Sequence, residues 1–251
     1  MGACSSSRGY AMPAKSQKTN ELFEKTRASE NLPSPWDVMY QSHQALFHLL
    51  DQIASMTLTM KREQYSEIRG QCNTLFLLLK IHARAEDTIF FPAVEKKFPG
   101  IATKYGDDHK RSAEGRPKLL EALDRAADSD ELFEVGMATM RKFCEANKAH
   151  QLGEEEVINP NLPSFPLEEQ RQIIKDMAEL DPDSWNSTYC CGIFARVNDE
   201  KRMKFLKGLQ QSISAAQFAI IMQNIRQLIQ DEPNKLVLPL LNSTPFLMEN
   251  F

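Results

Sequence analysis

Residues 81–95 read IHARAEDTIFFPAVE, and residues 149–160 read AHQLGEEEVINP. In each, a histidine stands four residues before a glutamate: His82 with Glu86, His150 with Glu154. Four residues is about one turn of an α-helix, so imidazole and carboxylate project from one face, stacked and pointing the same way. A single pair of this kind is ordinary on a soluble helix. Two such pairs, each with a proline at a matching offset (Pro92 and Pro160), repeat a metal-ligand spacing.

Two further histidines complete the scheme. His43 lies in MYQSHQALFHLL and His109 in GDDHKRSAE, so four of the chain's five histidines are accounted for. In an antiparallel helical bundle, residues at one height are mirrored about the turn that joins their helices. The midpoint of His109 and His150 falls beside Ser129, where Asp128 and Ser129 read as helix starters and Asp128 with Glu131 as a capping box. The midpoint of His82 and His109 falls beside the KKFPG break, and that of His43 and His82 in the polar stretch TMKREQY. The spacing therefore predicts an all-α chain whose core is an antiparallel four-helix bundle. His43, His82, Glu86, His109, His150 and Glu154 meet near its middle.

Four imidazoles and two carboxylates exceed a tetrahedral zinc site and suit two iron ions bridged by carboxylates. The ordered pattern His, His-x-x-x-Glu, His, His-x-x-x-Glu, with the words HARAEDTIFFPAVE and HQLGEEEVINP, resembles the hemerythrin-like (HHE cation-binding) family over roughly residues 36–160. The resemblance implies a non-haem di-iron centre. His43 and His82 would serve one ion, His109 and His150 the other, with Glu86 and Glu154 as bridges. It also implies that a diferrous pair can reduce dioxygen while both irons become ferric. In the oxygen carriers of that family a second histidine lies one turn before the one His109 matches; here Tyr105 stands there, which argues against simple reversible oxygen carriage. The carriers use a carboxylate five residues after the last histidine, which makes Glu155 a rival of Glu154.

Working outward, helix 1 is expected from Ser34 to about Met56, with His43 on its apolar face and His48 pointing elsewhere. Helix 2 is expected over about residues 61–97, and helix 4 over about 129–157. Gly115 and Pro117 predict that the third helix, within residues 101–127, is kinked. After a break at residues 160–166, LEEQRQIIKDMAEL, DEKRMKFLKGLQQSI and AAQFAIIMQNIRQLIQ read as three amphipathic helices, with SWNSTYCCGIFARV as a buried helix or turn. The domain plan is thus a tail over 1–33, a bundle over 34–160, a helical extension over 161–235 and a terminal tail over 236–251. The extension resembles the helices that follow hemerythrin domains in plant iron-regulating ubiquitin ligases. It lacks RING-type Cys/His spacing, so ligase activity is not implied.

Apolar content of 42% and charged content of 25% fit a soluble globular protein, and a net charge of −4 offers no case for nucleic acid. Five cysteines form neither a paired framework nor a zinc ribbon, which fits a reducing, intracellular setting. The start, MGACSSSRG, matches the N-myristoylation pattern at Gly2, with Cys4 a candidate for palmitoylation and Arg8, Lys15 and Lys18 following. The expectation is a cytoplasmic protein that handles or senses iron, oxygen or peroxide, attached to the cytoplasmic face of a membrane. Its C-terminal helices would present a surface to a protein partner. The alternative is a membrane-tethered interaction module that metal stabilises without redox chemistry. No acid or base names an organic substrate, so enzyme status is left open.

Overall fold

The structure is a computed structural model that describes residues 34–231. Gly2, Cys4, the tail over 1–33 and the tail over 236–251 lie outside the described residues. Within them, nine helices are labelled here: α1 Asp37–Thr59, α2 Tyr65–Ala85, α3 Phe91–Lys97, α4 Thr103–Asp124, α5 Asp130–Val157, α6 Leu167–Glu179, α7 Cys190–Arg196, α8 Asp199–Ser212 and α9 Ala215–Asp231. No strand occurs among the described residues, and an all-α bundle with a helical extension is the fold. No described helix is long and apolar enough to cross a membrane.

The bundle consists of α1, the α2–α3 rod, α4 and α5. Helix α1 is its axis, packing on α2 and α5 within the bundle and on α7 and α8 of the extension. That position explains a broad buried arc. Met39, Phe47 and Ser42 are covered as well as Val38, Leu46, Leu49, Leu50 and Ile53, because the first half of the helix is held between two layers, while its solvent side opens from His48 onward. Bundle and extension share one continuous apolar core: Leu75 and Leu78 of α2 belong to the same cluster as Ile193 of α7 and Phe205 of α8.

Local chemistry sets the joints. At the entry to α1, the Ser34 N–H donates to Asp37 Oδ2 at 3.0 Å, and Trp36 Nε1 donates to the Leu162 carbonyl at 3.2 Å, tying this end to the segment after α5. Trp36 also meets Phe90 and Phe165 edge-on, each at 5.6 Å. The turn before α4 is closed by Glu95, whose carboxylate accepts from the backbone N–H groups of Gly100, Ala102 and Thr103, each at 2.6 Å. These bonds favour the anion and hold the carboxyl below its usual value. Gly100 has φ +87, a conformation in which a side chain would be strained.

Two sequence expectations need correction. Ser129, not Asp128, caps α5: its Oγ accepts from the Leu132 N–H at 3.2 Å. Helix α4 runs unbroken through Gly115 and Pro117. Pro117 and Ala113 both lie on the exposed side, so the carbonyl that the missing N–H leaves free can bond to water. The rod carrying His82 and Glu86 is not one regular helix. Residues Glu86–Phe90 form a π turn in which the Phe91 N–H reaches back to the Glu86 carbonyl. The inserted residue absorbs the approach to Pro92, and such turns recur at functional sites.

Candidate metal centre

The four bundle helices bring His43 from α1, His82 from α2, Glu86 from the π turn, His109 from α4, and His150 and Glu154 from α5 to one place. His43, His82, Glu86 and Glu154 form one group able to hold a cation, and His109, His150 and Glu154 a second, so Glu154 is common to both. Glu86 also spans the gap. Its Oε1 lies 3.2 Å from His82 Nε2 and 3.5 Å from His43 Nε2, while Oε2 lies 3.6 Å from His109 Nε2. Glu154 repeats the arrangement, with Oε2 3.4 Å from His43 Nε2 and Oε1 2.9 Å from His150 Nε2.

All four imidazoles point Nε2 inward and have Nδ1 held from behind. His109 Nδ1 meets Asp87 Oδ1 at 2.8 Å, His150 Nδ1 meets Asp108 Oδ2 at 3.4 Å, and His43 Nδ1 meets Glu155 Oε1 at 3.4 Å. His82 Nδ1 meets the Tyr189 hydroxyl at 3.0 Å. An outer partner on one ring nitrogen orients a histidine and leaves the other lone pair for a metal. Glu155, the rival bridging residue, is turned to the back of His43 and belongs to neither cation-holding group.

The buried atoms at the centre are not satisfied by protein groups. His43 Nε2, His82 Nε2, Glu86 Oε2 and both oxygens of Glu154 make no hydrogen bond. His109 Nε2 and His150 Nε2 face each other at 2.9 Å, lone pair to lone pair unless one carries a proton. Buried groups left this way are costly, and a cation among them removes the cost. Electrostatics tells the same story. Burial works against protonating His43, yet the neighbouring carboxylates of Glu155, Glu86 and Glu154 overcome it and raise its pKa to about 10. His150 is likewise raised against burial, by Glu154, Glu86 and Asp108. Burial drives His82 well below its usual value, helped by the neighbouring imidazoles, so it is neutral. The centre demands positive charge, and imidazole with carboxylate is a donor set that iron accepts.

Surroundings divide the centre into a sealed and an accessible half. The His82 side chain is 2% exposed, whereas those of His109 and His150 are 12% and 13% exposed. Both line a cleft of about 560 Å³ between α4 and α5, together with Gly115, Ala146 and Gly153 and the cationic Lys104, Arg111 and Lys118. Tyr105 borders it without joining the donors. Its hydroxyl donates to the Gly153 carbonyl at 2.6 Å, and burial with the nearby charges of Glu154 and Asp108 raises the phenol to about 12. The phenol proton is thus committed to the Gly153 backbone rather than to the centre.

Sequence reasoning missed Asp87, Asp108 and Tyr189. Asp87 and Asp108 each adjoin an expected ligand, which is a usable signal for an outer partner. Tyr189 has none, since it comes from the second π turn, Trp185–Tyr189, deep in the extension. His48 is exposed and stands apart. Cys72, Cys144 and Cys190 are buried free thiols raised by that burial, Cys72 to about 11 and Cys144 to about 12; they are fillers.

A family model described as the hemerythrin HHE cation-binding domain matches residues 34–162. No curated protein and no solved structure matches the chain. The matched domain and the buried His/Glu group together point to a metal-binding site.

Proposed function

The chain belongs to the hemerythrin HHE cation-binding family, and we propose that it holds two non-haem iron ions and handles or senses iron, dioxygen or peroxide. The observation that carries this reading is the sharing of Glu154 between two cation-holding groups, with Glu86 reaching both from the other side. One ion would take His43 and His82, the other His109 and His150. Iron there would supply electrons to dioxygen or peroxide, changing from ferrous to ferric. The protein's own part is positional. Asp87, Asp108 and Glu155 orient their imidazoles, the apolar wall around His82 excludes water, and the cleft beside His109 and His150 admits a small molecule. Sensing or slow turnover fits this arrangement better than oxygen carriage, because Tyr105 stands where a further imidazole would be and its hydroxyl is engaged.

Metal content on protein purified with ferrous iron tests the proposal, followed by an optical spectrum before and after oxygen. Two irons per chain with new charge-transfer bands on oxygenation are expected. Zinc alone supporting the same stability, with no spectral response to oxygen, would favour the metal-stabilised interaction module.

The tethering reading rests on the residues MGACSS alone. Alkyne-fatty-acid labelling is expected to be lost for myristate in Gly2→Ala and for palmitate in Cys4→Ser, with release from membranes; unchanged labelling would remove the tether from the function. A cytoplasmic place, and a protein partner for the helical extension, are proposed on the same footing.

A further inference from the structure

Dioxygen and peroxide are small beside the cleft that His109 and His150 line. At about 560 Å³ it has the size of a site for an organic molecule. Its form follows from the sequence. Ser112, Gly115 and Leu119 of α4 recur at helical spacing and share a face, and so do Phe143, Ala146 and Gly153 of α5. Small residues on both faces leave a gap where two bundle helices would ordinarily interdigitate. A Cβ added at Gly115 meets nothing within 4 Å, so this glycine borders open space. Leu119, Phe143 and the Tyr105 ring give the cleft its apolar wall.

Charge on the lining is unequal. Lys104, Arg111 and Lys118 stand against one acid, Asp108. Asp108 is engaged by the Arg111 guanidinium and by His150 Nδ1, and Lys104 lies over the Tyr105 ring at 5.5 Å. Lys118 has no carboxylate partner among the described residues. The cations are strung along α4 instead of converging, as donors to a phosphate would. From Lys118 to His109 is about 13.5 Å along the helix axis, the span of a medium-length chain.

We propose that the cleft between α4 and α5 binds a medium-chain fatty acid, its carboxylate at Lys118 and its apolar chain running past Leu119 and Phe143 toward His109 and His150. This names the class of molecule that the centre meets, and to that extent rests on the metal-site reading above. Binding itself needs no metal.

Calorimetric titration of the full, metal-free chain tests it, with decanoate as the probe, decanol as its uncharged counterpart and acetate as the charge without the chain. One decanoate per chain is expected, held about fivefold more tightly than decanol, the upper worth of one solvent-exposed ion pair. Acetate should not bind, and the preference for decanoate should fade as salt rises. Gly115→Leu fills the gap from α4 and is expected to abolish binding, while unfolding at or above the wild-type temperature because leucine is the better helix former. Lys118→Glu should erase the preference for decanoate over decanol. Decanoate bound no more tightly than decanol, or bound equally by Gly115→Leu, overturns the proposal. Should Gly115→Leu misfold, Lys118→Glu decides, since it changes an exposed side chain. A chain that binds decanoate but takes up no iron would retire the metal centre and leave this site standing; iron uptake with no decanoate bound would do the reverse.

Discussion

Glu154→Ala is expected to empty both metal positions. Its two oxygens face opposite halves of the centre, Oε2 toward His43 and Oε1 toward His150, and it is the residue common to both cation-holding groups. Removing it takes one ligand oxygen from each half and the single negative charge the two halves share. Iron content should fall from two per chain to well under one, with loss of the thermal stabilisation that metal confers. Ligand that binds only the folded state stabilises by about 2.7 kcal/mol at a hundredfold excess over its dissociation constant, so the holo-form melting shift should disappear with the metal. Glu86→Ala and His82→Ala should also abolish loading, whereas His48→Ala, on an exposed position away from the centre, should do nothing. Equal losses in His48→Ala and His82→Ala would refute the ligand assignment. A Glu154→Ala chain that kept one ion per molecule would show that the two halves bind independently.

Trp185→Ala should be the most damaging single change outside the ligands. The indole is 1% exposed in the shared core and lies against Tyr189 at 4.6 Å. Truncating a buried aromatic to alanine costs about 3–5 kcal/mol, and in a chain with this many ordered residues that lowers the melting temperature by roughly 10 °C. Trp185→Phe should cost much less: it keeps most of the ring volume and forfeits no hydrogen bond, because Nε1 has no partner. Since Trp185 supports Tyr189, the alanine variant should bind Co(II) more weakly than its stability loss alone explains. Thermal unfolding with and without metal separates the two effects. A melting temperature unchanged in Trp185→Ala would mean that the extension does not share the bundle's core.

How far the residues could be read without coordinates depended on distance along the chain. The pairs His82/Glu86 and His150/Glu154 are local. Helical geometry alone puts each pair on one face, and reversal at the turns near Arg62, Phe98 and Ser129 brings them to one height. The three extension helices were legible for the same reason, their apolar periodicity matching α6, α8 and α9 closely. Pro117 is accommodated inside a continuous α4 on its exposed side, and exposure is a tertiary property.

The sequence by itself therefore determined the helices, their order, the bundle and the group of histidines and glutamates, because these follow from periodicities of a few residues and from the chain doubling back on itself. Only the tertiary structure decided the rest. Adjacent glutamates on a helix are separated by about 100° of rotation. Which of Glu154 and Glu155 faces the centre was set by how the core turns α5 about its axis, and it placed Glu154 between the two groups and Glu155 behind His43. The meeting of Tyr189 with His82, 107 residues apart, was set by the docking of the extension on α1 and α2. No local spacing encodes such a contact, because it arises from the packing of faces that the chain brings together only once it has folded.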